Sequence, residues 1–269
     1  MRYVMISFMY SFFMSTLFAK VLTFGVVPQQ SAMEMIKEWQ PMVSYLEKAT
    51  GEKIVLKVER SIPEFEKVLY SGGYDIAYMN PYHYVVAHKR KGYSARVRDE
   101  KNLVGIVVAR KADGISDISI LKGKRFLFPA PDAFAATLLI KYELLKKYGI
   151  DINKEKNYRY VNSHDSVYKG VSRGIGDGGG GIERTFNDLQ DKETKESLVV
   201  LYKTKPYPSH PFAFHRAMTG ELKEKMAKAI VDMPQEFLVL LSMKHLRETD
   251  DAEFDSVRDI AQLLPSVEE

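Results

Sequence analysis

The stretch Leu22-Thr23-Phe24-Gly25-Val26-Val27-Pro28-Gln29 decides the fold class. From Val21 to Val27 it is uncharged and rich in β-branched residues, and it stops at a proline, as a buried strand does. A helix follows at once. Ser31 with Glu34 forms a capping-box pattern, and Met35, Ile36, Trp39, Val43 and Leu46 keep helical spacing until Gly51 ends the run. The alternation then repeats. A strand at Ile54 to Val58 precedes a helix at Ile62 to Tyr70, with Pro63 in its first turn. A strand at Tyr74 to Tyr78 precedes a helix opened by Asn80-Pro81 and running to about Arg90. Farther on, strands are expected at Leu103 to Arg110, Gly123 to Phe128, Tyr158 to Val161 and Leu198 to Tyr202. Between them lie a long helix capped by Asp132 and ended by Gly149, a short helix at His164 to Arg173, and another from about Ile182. Gly174 to Gly181 reads as a glycine-rich loop, and the chain from Gly220 onward as mostly helical. This order predicts an α/β fold with mostly parallel sheets flanked by helices.

The 269 residues, 45% hydrophobic and 28% charged, suit one large domain or two lobes of about 100–130 residues each. We expect two lobes joined by short crossings near Arg110 to Ala112 and Tyr202 to Pro206. That gives one lobe from residues 20–109 plus 206–269 and a second from 110–205. The net charge of +4 comes from interspersed Lys, Arg, Asp and Glu. The longest basic run, His88-Lys89-Arg90-Lys91, is too short for the basic stripe of a nucleic-acid binder, so no nucleic acid is expected. The chain has no cysteine, which excludes disulfides, cysteine-ligated metals and a thiol nucleophile. Met1-Arg2, the apolar run Val4 to Phe18 and Leu17-Phe18-Ala19 have the layout of a secretory signal peptide over residues 1–19. The other reading, an uncleaved anchor, falls short of the roughly 20 apolar residues that span a bilayer. A periplasmic location follows.

Several loops at the expected strand ends carry a family likeness. Leu22 to Gln29, Gly73-Tyr74-Asp75-Ile76-Ala77-Tyr78-Met79-Asn80-Pro81-Tyr82, Phe126 to Leu139, Ser163-His164-Asp165-Ser166-Val167 and the glycines before Glu183 occur in order. Together they resemble the phosphate/phosphite/phosphonate-type periplasmic substrate-binding proteins of ABC transporters. The resemblance covers nearly all of residues 21–215. It implies a two-lobed, type II periplasmic-binding-protein fold that closes over a small oxyanion and delivers it to an ABC permease. It implies no catalysis and no cofactor. A receptor that passes the ligand to a membrane sensor kinase, or a binder of a non-phosphorus ligand, would show the same cleft; a monomer is expected. Phosphonate binders of the family commonly place a Ser/Thr-rich run at the start of the second-lobe helix. Here the run is Pro131-Asp132-Ala133-Phe134-Ala135-Ala136-Thr137.

Ligands of open parallel sheets bind outside the carboxyl ends of the strands, which nominates residues in these loops. Gln29 precedes the first helix, whose N–H groups favour an anion. Tyr78 and Tyr82 flank Asn80 and offer hydroxyls, or pack at a strand end. At the second-lobe helix, the N–H groups around Ala133 and Phe134 and the hydroxyl of Thr137 face an anion. Asp132 either caps that helix or faces the ligand, where an ionised carboxylate would oppose a dianion and suit an amine or a protonated oxyanion. His164 opens a helix and can donate to an anion, with Tyr168 one turn later on the same face. Gly179 and Gly180 allow close backbone approach in a ligand-facing loop leading to Arg184, whose planar fork suits an oxyanion, or they form a tight turn. Gly174, Gly176 and Gly179 also match a dinucleotide fingerprint, but they follow a helix instead of a strand. Ser209, His210 and Pro211 cap the cleft or shape a hinge. No pair of histidines has a metal-ligand spacing, so no metal is expected. Ser163 and Ser166 lack a nucleophile elbow.

Overall fold

Two mixed sheets, each covered by helices, divide the computed structural model, which describes residues 20–263. The expected signal peptide lies outside the described residues. The chain begins with β1 (Leu22–Val26), α1 (Ala32–Thr50), β2 (Ile54–Val58), α2 (Ile62–Ser71), β3 (Ile76–Tyr78), α3 (Pro81–Lys91) and β4 (Ser94–Asp99). It then builds β5 (Gly105–Arg110), β6 (Phe126–Phe128), α4 (Leu139–Tyr148), α5 (Ile152–Glu155), β7 (Tyr158–Tyr160), α6 (His164–Ser172), β8 (Gly178–Ile182), α7 (Glu183–Asn187), α8 (Lys192–Ser197) and β9 (Leu198–Lys203). It ends with β10 (Pro211–Phe214), α9 (Gly220–Val231), α10 (Gln235–Leu240), β11 (Leu246–Glu248) and α11 (Asp255–Leu263). The first sheet has the order β11-β4-β10-β3-β1-β2 and the second β7-β6-β8-β5-β9.

Local chemistry sets the helix ends. The side chains of Ser31, Ser61 and Asn80 accept the N–H of the residue three places on, satisfying donors that a helix start leaves free. Gly51, Gly72, Gly92 and Gly149 close helices in the left-handed region. The first core packs α1 on the sheet through Trp39, whose ring meets Phe24 edge-on at 5.9 Å and Tyr78 at 4.7 Å.

The two-sheet α/β architecture agrees with the sequence, with one refinement. Parallel pairing is confined to β1 with β2 and β3, and to β6 with β7 and β8. The strands β4, β10 and β11, and the pairings of β5 with β8 and β9, are antiparallel, so the sheets are mixed. The first crossing also moves. Gly105–Arg110 belongs to the second sheet, so the chain changes sheets between Asp99 and Gly105, not at Arg110 to Ala112. It returns between Lys203 and Pro211, where β10 inserts between β3 and β4. The two crossings pair with each other: Leu103 N donates to Tyr207 O at 2.7 Å and Tyr207 N to Leu103 O at 3.0 Å.

The glycine-rich stretch is the largest local correction. Gly178 to Gly181 is not a loop; it forms the buried strand β8 in the middle of the second sheet. Its neighbours leave no room for side chains. A Cβ on Gly179 would lie 2.6 Å from Val167 and one on Gly181 2.3 Å from the Tyr168 hydroxyl, both on α6. On the opposite face, a Cβ on Gly180 would lie 1.9 Å from the carbonyl oxygen of Ala136 and 2.7 Å from the Phe128 ring. The strand therefore exists because its neighbours pack directly on its backbone. Gly180→Ala should destabilise the protein by about 1–3 kcal/mol, since overpacking a closed contact forces backbone shifts. Gly220→Ala, where a Cβ meets nothing within 4 Å, should be nearly neutral. Thermal unfolding of both variants against the parent checks the pair.

Candidate functional site

Between the two sheets the loops surround a cavity lined from both lobes. Its second-sheet wall starts from β6. After Pro131 and Asp132 the chain enters a wide π-type turn at Phe134–Leu138 that runs into α4. The first bonds of that turn are Thr137 N to Ala133 O at 2.8 Å and Leu138 N to Ala133 O at 3.3 Å. The N–H groups of Phe134, Ala135 and Ala136 precede them and have no partner inside the helix. A Cβ on Gly105 would lie 2.3 Å from the Ala135 carbonyl oxygen, so that carbonyl presses onto the sheet. The planar trans peptide then turns the Ala136 N–H the opposite way. Ala133 to Ala136 line the cavity, and unpaired N–H groups at a helix start favour an anion.

A chain of hydrogen bonds closes the other side. Arg184, half-buried at the start of α7, donates to Gln29 Oε1 at 2.6 Å and to the Tyr78 hydroxyl at 3.0 Å, joining the two lobes. A guanidinium only donates, so Gln29 must present its oxygen to Arg184 and its amide nitrogen to His210. Gln29 Nε2 lies 3.1 Å from His210 Nε2. His210 therefore accepts at Nε2 and, when neutral, carries its proton on Nδ1. Its ring stacks on Tyr78 at 5.3 Å. Burial, and then the Arg184 charge, hold the His210 imidazole well below its ordinary range. Burial pushes His164 down to about 3, again with help from Arg184. His164 is 4% exposed, and its Nδ1 has no partner among the described residues. Both imidazoles are thus neutral near pH 7.

Asn80 links the lobes a second time. Its Oδ1 accepts His83 N at 2.8 Å, and its Nδ2 donates to the Asp132 carbonyl at 3.1 Å. His83 Nε2 in turn lies 2.8 Å from Glu66 Oε1.

Of the residues nominated by sequence, Gln29, Asn80, Ala133, Phe134 and His164 line the cavity, and Tyr78 and Arg184 stand directly behind it. The others are placed elsewhere. Thr137 Oγ1 donates to the Ala130 carbonyl at 2.7 Å and is spent on the turn. The Tyr168 hydroxyl bonds Ile182 O at 3.1 Å and Thr185 Oγ1 at 2.8 Å, so it holds the turn that carries Arg184. Gly179 and Gly180 are buried in β8. Tyr82 faces a groove of α3 and α11 with Arg90 and Arg258. Asp132 caps nothing: the helix-start position is Ala133, and no side chain bonds there. The sequence reading left the role of His210 open and missed the apolar wall of Val27, Ile62, Leu103 and Ile182. The crossing position of His210 was a usable signal; the apolar residues carried none.

A profile of the family described as ABC transporter, phosphonate, periplasmic substrate-binding protein matches residues 24–254. A protein of Mycolicibacterium smegmatis named phosphate-import protein PhnD is 22% identical over 227 residues, covering 78% of this chain and 70% of that protein. Two solved structures share the fold. PhnD1 of Prochlorococcus marinus, in complex with methylphosphonate, superposes with a TM-score of 0.83 at 16% identity, covering 91% of this chain and 98% of that one. A binding-protein component of an ABC phosphonate transporter of Pseudomonas aeruginosa also gives 0.83 at 16% identity, covering 90% and 86%.

The buried imidazole of His164 has a pH consequence. Its value falls from 6.5 to about 3 on folding, so the unfolded chain takes up this proton first as pH drops. The stabilisation is complete above about pH 6.5 and is lost as the pH falls toward about 3. His164→Gln should flatten the loss between about pH 6.5 and 4.5 relative to the parent, measured as urea unfolding free energy across that window.

Proposed function

This chain belongs to the family of phosphonate ABC-transporter periplasmic substrate-binding proteins, and from that premise we propose that its interlobe cavity captures a small phosphorus oxyanion. The observation that carries the ligand class is that Phe134, Ala135 and Ala136, whose N–H groups have no partner inside the helix, line one cavity together with His164, whose Nδ1 is unpartnered among the described residues. Tetrahedral oxyanions present several acceptor oxygens and match such a set of donors. The remaining wall, from Val27, Ile62, Leu103 and Ile182, is apolar and suits a P–H or P–CH₃ face. The names of the Mycolicibacterium relative and of the Prochlorococcus complex support the same ligand class.

The mechanism is closure about the paired crossings. A ligand held by the amides and His164 of the second lobe and by Asn80 and Gln29 of the first contacts both lobes only when they meet. It stabilises the closed form by that difference. Arg184 already spans the lobes through Gln29 and Tyr78 and adds to the same state. The closed form then docks on an ABC permease, with the chain exported to the periplasm behind its N-terminal signal. Binding without turnover fits the seryl groups near His164: Ser163 Oγ caps α6 by accepting Ser166 N at 3.2 Å and lies 2.9 Å from Ser166 Oγ.

Thermal unfolding of residues 20–269 against phosphite, methylphosphonate, phosphate, sulfate and carboxylates tests the ligand. A ligand at about 100 times its dissociation constant stabilises by about 2.7 kcal/mol. Phosphite or methylphosphonate should raise the midpoint and the carboxylates should not; a panel in which no phosphorus compound shifts it would sink the ligand class. Arg184→Gln should weaken binding of the active compound about 10- to 100-fold, the scale of a hydrogen bond to a charged group.

A further inference from the structure

Deepening the ligand reading above, on which it rests, the inference concerns the charge that the cavity accepts. Among the described residues, the cavity wall contains no Lys, Arg, Asp or Glu. The cation coupled to it is Arg184, which stands behind Gln29 and Tyr78, while the two imidazoles, His164 and His210, are held neutral. In the neighbouring pocket that shares Leu103 and His210 with it, Lys101 is accompanied by Asp99 and Glu183. One positive charge therefore backs the site.

Asp132 works against that charge. It immediately precedes Ala133, at the entry to the turn whose N–H groups face the anion, and its carbonyl is tied to Asn80 of the other lobe. Its Oδ1 is buried without a partner among the described residues. Glu66 on α2 adds a second carboxylate beside it, with the Tyr70 hydroxyl of the same helix also buried and unpartnered. From α3 it meets the His83 imidazole, Arg90 as the opposing charge and Tyr82 as a neutral hydroxyl, and from β7 it meets Tyr160. His83 is fully buried with Nδ1 unpartnered, and its Nε2 is already used in donating to Glu66. An ionised Asp132 thus gains no hydrogen bond at Oδ1, and burial with Glu66 beside it raises the carboxyl to about 6.

We propose that Asp132 makes this cavity select singly charged oxyanions over doubly charged ones. An oxyanion with two ionisable protons enters as its monoanion, or as a dianion accompanied by one proton. Asp132 acts as a specificity-determining residue through its field; the contacts to the ligand remain those of the amides, His164 and the first-lobe side chains.

Hypophosphite and phosphite separate the cases, because hypophosphite carries one charge throughout while phosphite passes from one to two across neutrality. Calorimetric titration of the protein with each anion at about pH 5.5 and about pH 8.5 is the test. Phosphite should lose at least about tenfold more affinity than hypophosphite over that range, one logarithmic unit of linkage. At the higher pH its binding should take up protons, read from the dependence of the heat on buffer ionisation enthalpy. Asp132→Asn should restore phosphite affinity at the higher pH by at least about tenfold and change hypophosphite less. The comparison of the two anions on the parent protein stands even where the variant folds poorly. The same pH dependence for both anions, or an equal effect of Asp132→Asn on both, would overturn the proposal and leave the ligand class intact. Failure of both anions to bind at either pH would overturn the proposal, and failure of methylphosphonate and phosphate as well would overturn the ligand class with it.

Discussion

The carbonyl oxygens of Ala135 and Ala136 press onto backbone at Gly105 and Gly180, at positions where a side chain would sit 2.3 Å and 1.9 Å away. That approach fixes the first turn of the second-lobe helix against the sheet. It sets the Ala135–Ala136 peptide plane, turning the Ala136 N–H away from the sheet, and it requires bare backbone where the glycine run forms a strand. The ridge of Val167, Tyr168 and Val171 on the opposite face depends on the same bare backbone, and Tyr168 in turn holds the turn that carries Arg184. The cavity wall of Ala133 to Ala136 and the bridging cation both trace back to a strand with almost no side chains.

Directionality of hydrogen bonds then orders the rest of the site. Arg184 can only donate, so Gln29 must accept from it and donate to His210, and His210 must stay neutral to accept. Burial supports the same state for both histidines. The site is built from neutral donors backed by one guanidinium, with carboxylates gathered at one edge around Asp132.

The hinge shows how the lobes stay coupled. Asp99, at the end of β4, accepts Lys101 N at 3.0 Å and Lys244 N at 3.1 Å, and Ser209 Oγ donates to its carbonyl at 2.5 Å. Arg98 next to it bonds Glu253 at 2.9 Å. Both crossings are therefore anchored in the first lobe by residues far apart in sequence, while Leu103 and Tyr207 pair between them.

The sequence by itself determined the strand–helix alternation, the Ser31 and Asn80 caps, the glycine stops and the loops that meet at the cleft. Those are local features: a cap needs a side chain three residues from its amide, and a buried strand needs a run of apolar residues. Gln29, Asn80, Ala133, Phe134 and His164 were legible because they sit at strand ends. Tertiary structure alone decided the role of Gly178 to Gly181, the antiparallel partners β4, β10 and β11, the first crossing at Asp99 to Gly105, and the use of Thr137 and Tyr168 in holding turns. Each depends on what another segment places against the residue. A glycine whose missing side chain is filled by a distant carbonyl looks, in sequence, the same as a glycine in a loop.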